Sequence, residues 1–217
     1  MILEIFIALF IFIVYFLIYV ECKINKNNII YHYDKELTRK NINNEILLKA
    51  PFHFDGAHLN FPLEMDNYKL KKKDKDNKTK EYTMIHNEIL LLKPYVKSKV
   101  SHTLYCMKSN GKIDIHSNDE SINYYFVRTG SADVFLIHPK FKDNFSFSKT
   151  NSNKEIHKYV ENNEHFHKLD CQEGNIIFVP NYWLIYIKNS GKSQCSIEKI
   201  SYSTLINKFM FYFKKNT

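Results

Sequence analysis

Between Glu88 and Tyr202 the apolar residues of this chain come in short runs closed by turn residues, and that punctuation limits the fold more than any other feature. The runs are Glu88–Lys93, Thr103–Met107, Lys112–His116, Ile122–Arg128, Ala132–His138, Asn175–Val179, Trp183–Lys188 and Cys195–Tyr202, each five to eight residues long and rich in Ile, Val, Phe and Tyr. Segments of that length and composition fit strands and are too short for the helices of a bundle. Ser109-Asn110-Gly111, Thr129-Gly130, Glu173-Gly174 and Asn189-Ser190-Gly191 separate them. Glycine there supplies the positive φ that tight connections need. Strands at this spacing predict a mainly β domain, a sandwich or a barrel.

The N-terminus is of another kind. Ile5 to Val20 carry no charge, Gly or Pro, and only Glu4 interrupts the apolar run that begins at Met1. About 20 residues at 1.5 Å rise span roughly 30 Å, the thickness of a bilayer core. A cleaved signal peptide needs a basic start and small residues at the cut, and Tyr19-Val20-Glu21-Cys22 offers neither. Residues 1–22 are therefore expected to be a transmembrane anchor, with the membrane as partner. Lys23, Lys26, Lys35, Arg39 and Lys40 follow at once, which predicts a single pass with the bulk of the chain on the cytosolic side. Cys22, Cys106, Cys171 and Cys195 show no paired spacing and read as free thiols of a reducing compartment.

Charge adds little. The 217 residues carry 31 basic and 23 acidic side chains, a net +8. Arg39 and Arg128 are the only arginines. Readers of nucleic acid lean on the planar fork of Arg, whereas scattered lysines mainly solvate a surface. The composition therefore argues against a nucleic-acid partner.

Residues 23–50 read as a polar tether and leading edge of the domain, with short apolar runs at Ile29–Tyr33 and Ile46–Leu48 that read as strands or the edge of the domain. Residues 51–217 form the domain itself, interrupted by two polar inserts. Lys69–Lys80, with seven Lys and two Asp, is expected to be a solvated loop. A weaker reading has it touch anionic membranes or nucleic acid, with binding that falls steeply in salt. Residues 146–164 read as a long loop, and Leu205–Phe213 as a final packed helix or strand.

Three blocks carry a resemblance. The first runs Gly111-Lys-Ile-Asp-Ile-His116-Ser-Asn118-Asp119, the second Asn123-Tyr-Tyr-Phe-Val-Arg128-Thr-Gly130 and on through Asp133 to His138-Pro139. The third is Gln172-Glu-Gly174-Asn-Ile-Ile-Phe-Val-Pro180-Asn-Tyr-Trp183-Leu-Ile185. Over residues 100 to 190 this order resembles the cupin-like double-stranded β-helix, a jelly-roll barrel, in the branch of JmjC-type and related 2-oxoglutarate oxygenases. That family has a turn glycine before a strand ending in His-x-Asp, and later a Glu-Pro-Gly-Asp turn, a strand ending in Pro and a Gly-Trp-Trp-His segment. In the third block Gly174, Pro180 and Trp183 all fall in register.

The resemblance implies an iron site of two His and one carboxylate, open to 2-oxoglutarate and oxygen. His116 matches the first histidine. The carboxylate position falls on Asn118, with Asp119 one residue off and so on the opposite face of a strand. Ile185 stands at the second histidine, and Ala132 where a basic residue would grip the oxoglutarate carboxylate. His138 beside Pro139, His165 with His167, and His53 with Asp55 in a loop at the start of the domain are weaker ligand candidates. Trp183, Tyr182 and Tyr186 are expected to pack near the barrel mouth. No GxSxG elbow, Walker-type glycine loop or HExxH is present.

The expectation is thus a membrane-anchored cupin-like protein without an intact metal site, with no catalytic residues and no cofactor, serving as a binding or scaffold module for a protein partner. The enzyme alternative is an oxygenase using Fe(II) and 2-oxoglutarate at a rearranged site, in which His116 and Asp119 converge with a further histidine. The Lys, Asn and Ile bias, with a tethered degenerate cupin, looks like proteins of large DNA viruses of protists. That likeness implies a host or virion membrane.

Overall fold

A computed structural model describes residues 2–34, 37–56, 68–73, 78–84, 99–144, 165–204 and 206–208. The helices are α1 (Ile2–Cys22) and α2 (Arg39–Leu47), with a 3-10 turn at Pro139–Asn144. The strands are β1 (Tyr31–Tyr33), β2 (Phe52–Asp55), β3 (Tyr68–Lys73), β4 (Thr79–Met84), β5 (Lys99–Met107), β6 (Lys112–Ser117), β7 (Ile122–Thr129), β8 (Ser131–Ile137), β9 (Phe166–Gln172), β10 (Asn175–Pro180), β11 (Leu184–Asn189) and β12 (Cys195–Ser203).

The strands form an eight-stranded sheet ordered β1-β2-β10-β7-β12-β5-β4-β3 and a four-stranded sheet ordered β6-β11-β8-β9. From β5 to β12 the chain passes back and forth between them, except at the β8–β9 pair, placing β5, β7, β10 and β12 in the large sheet and β6, β8, β9 and β11 in the small one. Their pairings are antiparallel. Two facing four-stranded layers wound in this way are a jelly roll. The fold is mainly β, a cupin-like double-stranded β-helix.

Side-chain parity divides the core. Tyr125 and Val127 of β7, Cys195 and Ile197 of β12, and Val134, Leu136, Ile185 and Ile187 of the small sheet fill the space between the layers. The alternate residues Tyr124, Phe126, Ile200 and Tyr202 turn to the outer face of the large sheet, where Ile42 and Ile46 of α2 cover them. Strands β7 and β12 are thus buried on both faces, which is why they read as near-continuous apolar runs. Each aromatic or aliphatic side chain buried here contributes about 1.5–3 kcal/mol.

Several expectations change. Phe52–Asp55 is strand β2 and not a loop, because Phe52 and Phe54 alternate with His53 and Asp55 and bury both rings in the outer cluster. Tyr31–Tyr33 pairs parallel to it, so the stretch after α1 contributes to the large sheet. Ile46 and Leu47 end helix α2 and do not form a strand. Of Lys69–Lys80, residues 69–73 belong to β3 and Thr79 and Lys80 open β4, antiparallel neighbours at the edge of the large sheet and not a solvated loop, while 74–77 lie outside the described residues. Pairing with β5 supplies the backbone partners, while Lys71, Lys72 and Lys73 stay exposed. Phe166–Gln172 is an additional strand. The expected strand at Glu88–Lys93, the insert 146–164 and the tail beyond 208 lie outside the described residues.

Helix α1 is long and apolar enough to cross a membrane. Its large apolar side chains stand exposed, and only its last residues meet the barrel.

Candidate functional site at the barrel mouth

Strand β6 ends where β11 begins, and the antiparallel register sets His116 opposite Ile185. The Pro180-to-Trp183 turn crosses above, with Asn118 N–H donating to the Trp183 carbonyl at 3.4 Å and Tyr182 N–H to the Asn118 carbonyl at 3.0 Å. His116, Asn118 and Ile185, which the resemblance assigns to the iron ligands, therefore gather at one end of the barrel.

What they make there is a hydrogen-bonded string. The Tyr125 hydroxyl donates to Asn118 Oδ1 at 2.7 Å and lies 3.2 Å from His116 Nε2. His116 Nδ1 lies 2.9 Å from the Asp114 carbonyl, so both ring nitrogens have partners. Burial lowers the His116 pKa from its ordinary 6.5 and raises that of Tyr125. Lys199 lies 5.8 Å from the Tyr125 ring and 3.2 Å from Glu120. Ile185 and Ala132 are fully buried among apolar side chains.

Asp119 does not join His116: its side chain is exposed, while its neighbour Asn118 is buried. His138 is buried, with Nε2 2.6 Å from the Asn25 carbonyl and its ring edge-on to Trp183 at 4.9 Å. His165 stacks on Phe141 at 4.1 Å, whereas His167 lies on β9 near Asn28. His53 bonds the Asn175 side chain and lies against His32. Among the described residues no three His, Cys, Asp or Glu side chains converge as a metal site. Tyr186 does not belong to the mouth: one position from Ile185, it faces outward and packs on Phe135 at 5.7 Å.

Sequence reasoning missed how the N-terminal segment closes this end. The Ser121 hydroxyl donates to the Glu21 carboxylate, and Asn181 Nδ2 to the Glu21 carbonyl at 3.0 Å. Lys49 is buried beside them, its pKa lowered by burial against the opposing pull of Glu21. The Tyr182 side chain bonds Cys22, and its backbone is held left-handed at φ 70, a conformation costing a bulky residue about 1–3 kcal/mol. The chain then runs over the mouth: Asn25 meets His138, and Ile30 packs on the inner cluster. No spacing in the sequence signals these contacts.

Buried polar atoms concentrate here. Asn118 Nδ2, Trp183 Nε1, Asn181 Oδ1, His167 Nε2 and Asn28 Oδ1 have no hydrogen-bond partner, and each such group costs about 1–3 kcal/mol when unsatisfied. The four cysteines are unpaired, and burial pushes Cys171 and Cys195 up to about 12, which makes them inert as nucleophiles.

No protein-family model and no curated protein sequence matches the chain. Solved structures do overlap it. The cupin domain of Schizosaccharomyces pombe Cnp3 aligns at TM-score 0.43 and 12% identity, over 69% of this chain and 80% of that one. The Drosophila melanogaster CENP-C cupin domain aligns at 0.40 and 10%, over 64% and 78%. Lactobacillus farciminis oxalate decarboxylase, in a formate complex, aligns at 0.42 and 13%, over 64% of this chain but 32% of its own. The chain thus spans about a third of the decarboxylase it overlaps. Overlaps this distant leave the fold assignment to the strand order described above.

Proposed function

We propose that this chain is a membrane-anchored, JmjC-related cupin-like module with a degenerate metal site, a pseudoenzyme that binds a protein partner on the cytosolic face of a host or virion membrane. The observation that carries this reading is Ile185, set directly opposite His116 in register. An iron triad needs three donors in one place, and here one position is a hydrocarbon, another an amide, and the histidine is engaged on both nitrogens. Ala132, buried between Asn189 and Cys171 on the neighbouring strands, offers no cation to a dicarboxylate.

Anaerobic titration of the detergent-solubilised full chain with Fe(II) and 2-oxoglutarate tests it. The expected result is no saturable binding of either by calorimetry. One-to-one binding that His116→Ala abolishes would establish the oxygenase instead. The complementary experiment rebuilds the triad: Asn118→Asp with Ile185→His places a carboxylate and a second imidazole beside His116. That double variant is expected to bind Co(II) stoichiometrically, with the visible absorption of a ligand-field transition, and the parent chain is not.

A further inference from the structure

We infer that the mouth end of the barrel lies flat against an anionic bilayer, with the segment after the anchor and the Pro139–Asn144 turn as its contact surface. This rests on the reading of α1 as a membrane anchor. The span ends at Cys22, and its final turn is not a free swivel: Glu21 is held by Ser121 and Asn181, and Tyr182 holds Cys22. Whatever surrounds this joint is therefore kept at the level of the lipid headgroups. What surrounds it is basic and apolar. Lys23 and Lys26 are exposed, as are Ile24 at 42% and Ile29 at 47%. The His138–Asn25 bond places the Pro139–Asn144 turn alongside, with Lys140 exposed and its ammonium 4.6 Å from the Phe141 ring. Among the described side chains at this end Asp119 is an exposed carboxylate, and Glu120 is paired with Lys199. Cations beside exposed Ile side chains match a headgroup layer, where charge meets anionic lipid and the apolar groups reach the acyl boundary.

The more conspicuous lysines are excluded from that surface by register. Lys73 pairs with Lys80, and Lys80 with Cys106, near the end of β5. The anchor joint is level with the other end of β5, where Val100 pairs with Tyr202 and Tyr202 with Ile122. Six residues of strand separate the two levels, roughly 20 Å, and Lys69, paired through Thr83 with Thr103, stands three residues away, roughly 10 Å, both beyond the Debye length of about 8 Å at physiological salt.

The full chain in nanodiscs, followed by hydrogen exchange, tests the inference. Amides of residues 23–30 and 140–144 are expected to exchange at least threefold more slowly with 30% phosphatidylserine than with phosphatidylcholine alone. The difference should disappear in 0.5 M salt and in the triple variant Lys23→Glu, Lys26→Glu, Lys140→Glu, whose barrel amides report that it is folded. Equal exchange in the two lipids, with residues 2–22 still protected, would overturn the inference and leave the anchor standing. Protection of 69–73 in place of 23–30 would overturn it too. Unprotected residues 2–22 would remove the anchor itself.

Discussion

Glu198 is 1% exposed on the outer face of the large sheet, and it remains ionised there because a guanidinium and an imidazole N–H face it. Burial alone would raise its pKa. The hydrogen bond from His102 at 3.0 Å and the Arg128 guanidinium, which also lies 4.2 Å from the Phe126 ring, outweigh that and lower it. A depressed carboxylate contributes stability that is present above its unfolded pKa and is lost as pH falls through the folded value. Glu198→Gln leaves Arg128 buried without its countercharge, and is expected to cost about 3–5 kcal/mol in urea unfolding at pH 7. The loss should shrink toward pH 3. None of this was legible, since the partners stand 70 and 96 residues from Glu198 along the chain. His116, Asn118 and Ile185 were legible because Gly111, Gly174, Pro180 and Trp183 fixed their places. Tyr125 was not, since an alternating strand does not say which of its two faces holds a neighbour.

At the scale of elements, legibility followed burial. Strands with both faces covered, such as β7 and β12, announce themselves as apolar runs. Strand β9 does not, because Lys168 and Asp170 alternate with the buried Leu169 and Cys171, and the exposed β3 looks like loop. Helix α2 was hidden among Asn and Lys residues, and it depends on a local device: Thr38 Oγ1 accepts the Asn41 N–H at 3.3 Å at its N-terminus. Thr38→Ala is expected to lower stability by about 1 kcal/mol. The urea midpoint should fall with an unchanged slope, because the helix still packs through Ile42 and Ile46 onto the outer cluster.

For the whole molecule, acid is the expected weakness. Burial lowers the pKa of His53, His116, His138 and His167 below the ordinary 6.5. Below that value the unfolded chain takes up protons that the folded one refuses. Stability should therefore decline as pH falls from 6.5 through the folded values. Urea midpoints at pH 7 and pH 5 will show the drop, and His167→Gln, which removes one such group, should make it smaller. The long apolar helix α1 was plain from its sequence, but its attachment was not, since apolarity says nothing of how a helix end is held. That attachment ties two regions together. The segment from Asn25 to Ile30, which meets His138 and packs on the inner cluster, continues directly from the held turn at Glu21. The direction of helix α1 and the seating of this cover are then linked variables, and linkage is reciprocal: whatever shifts the helix shifts the cover by the same free energy with which a shift of the cover moves the helix.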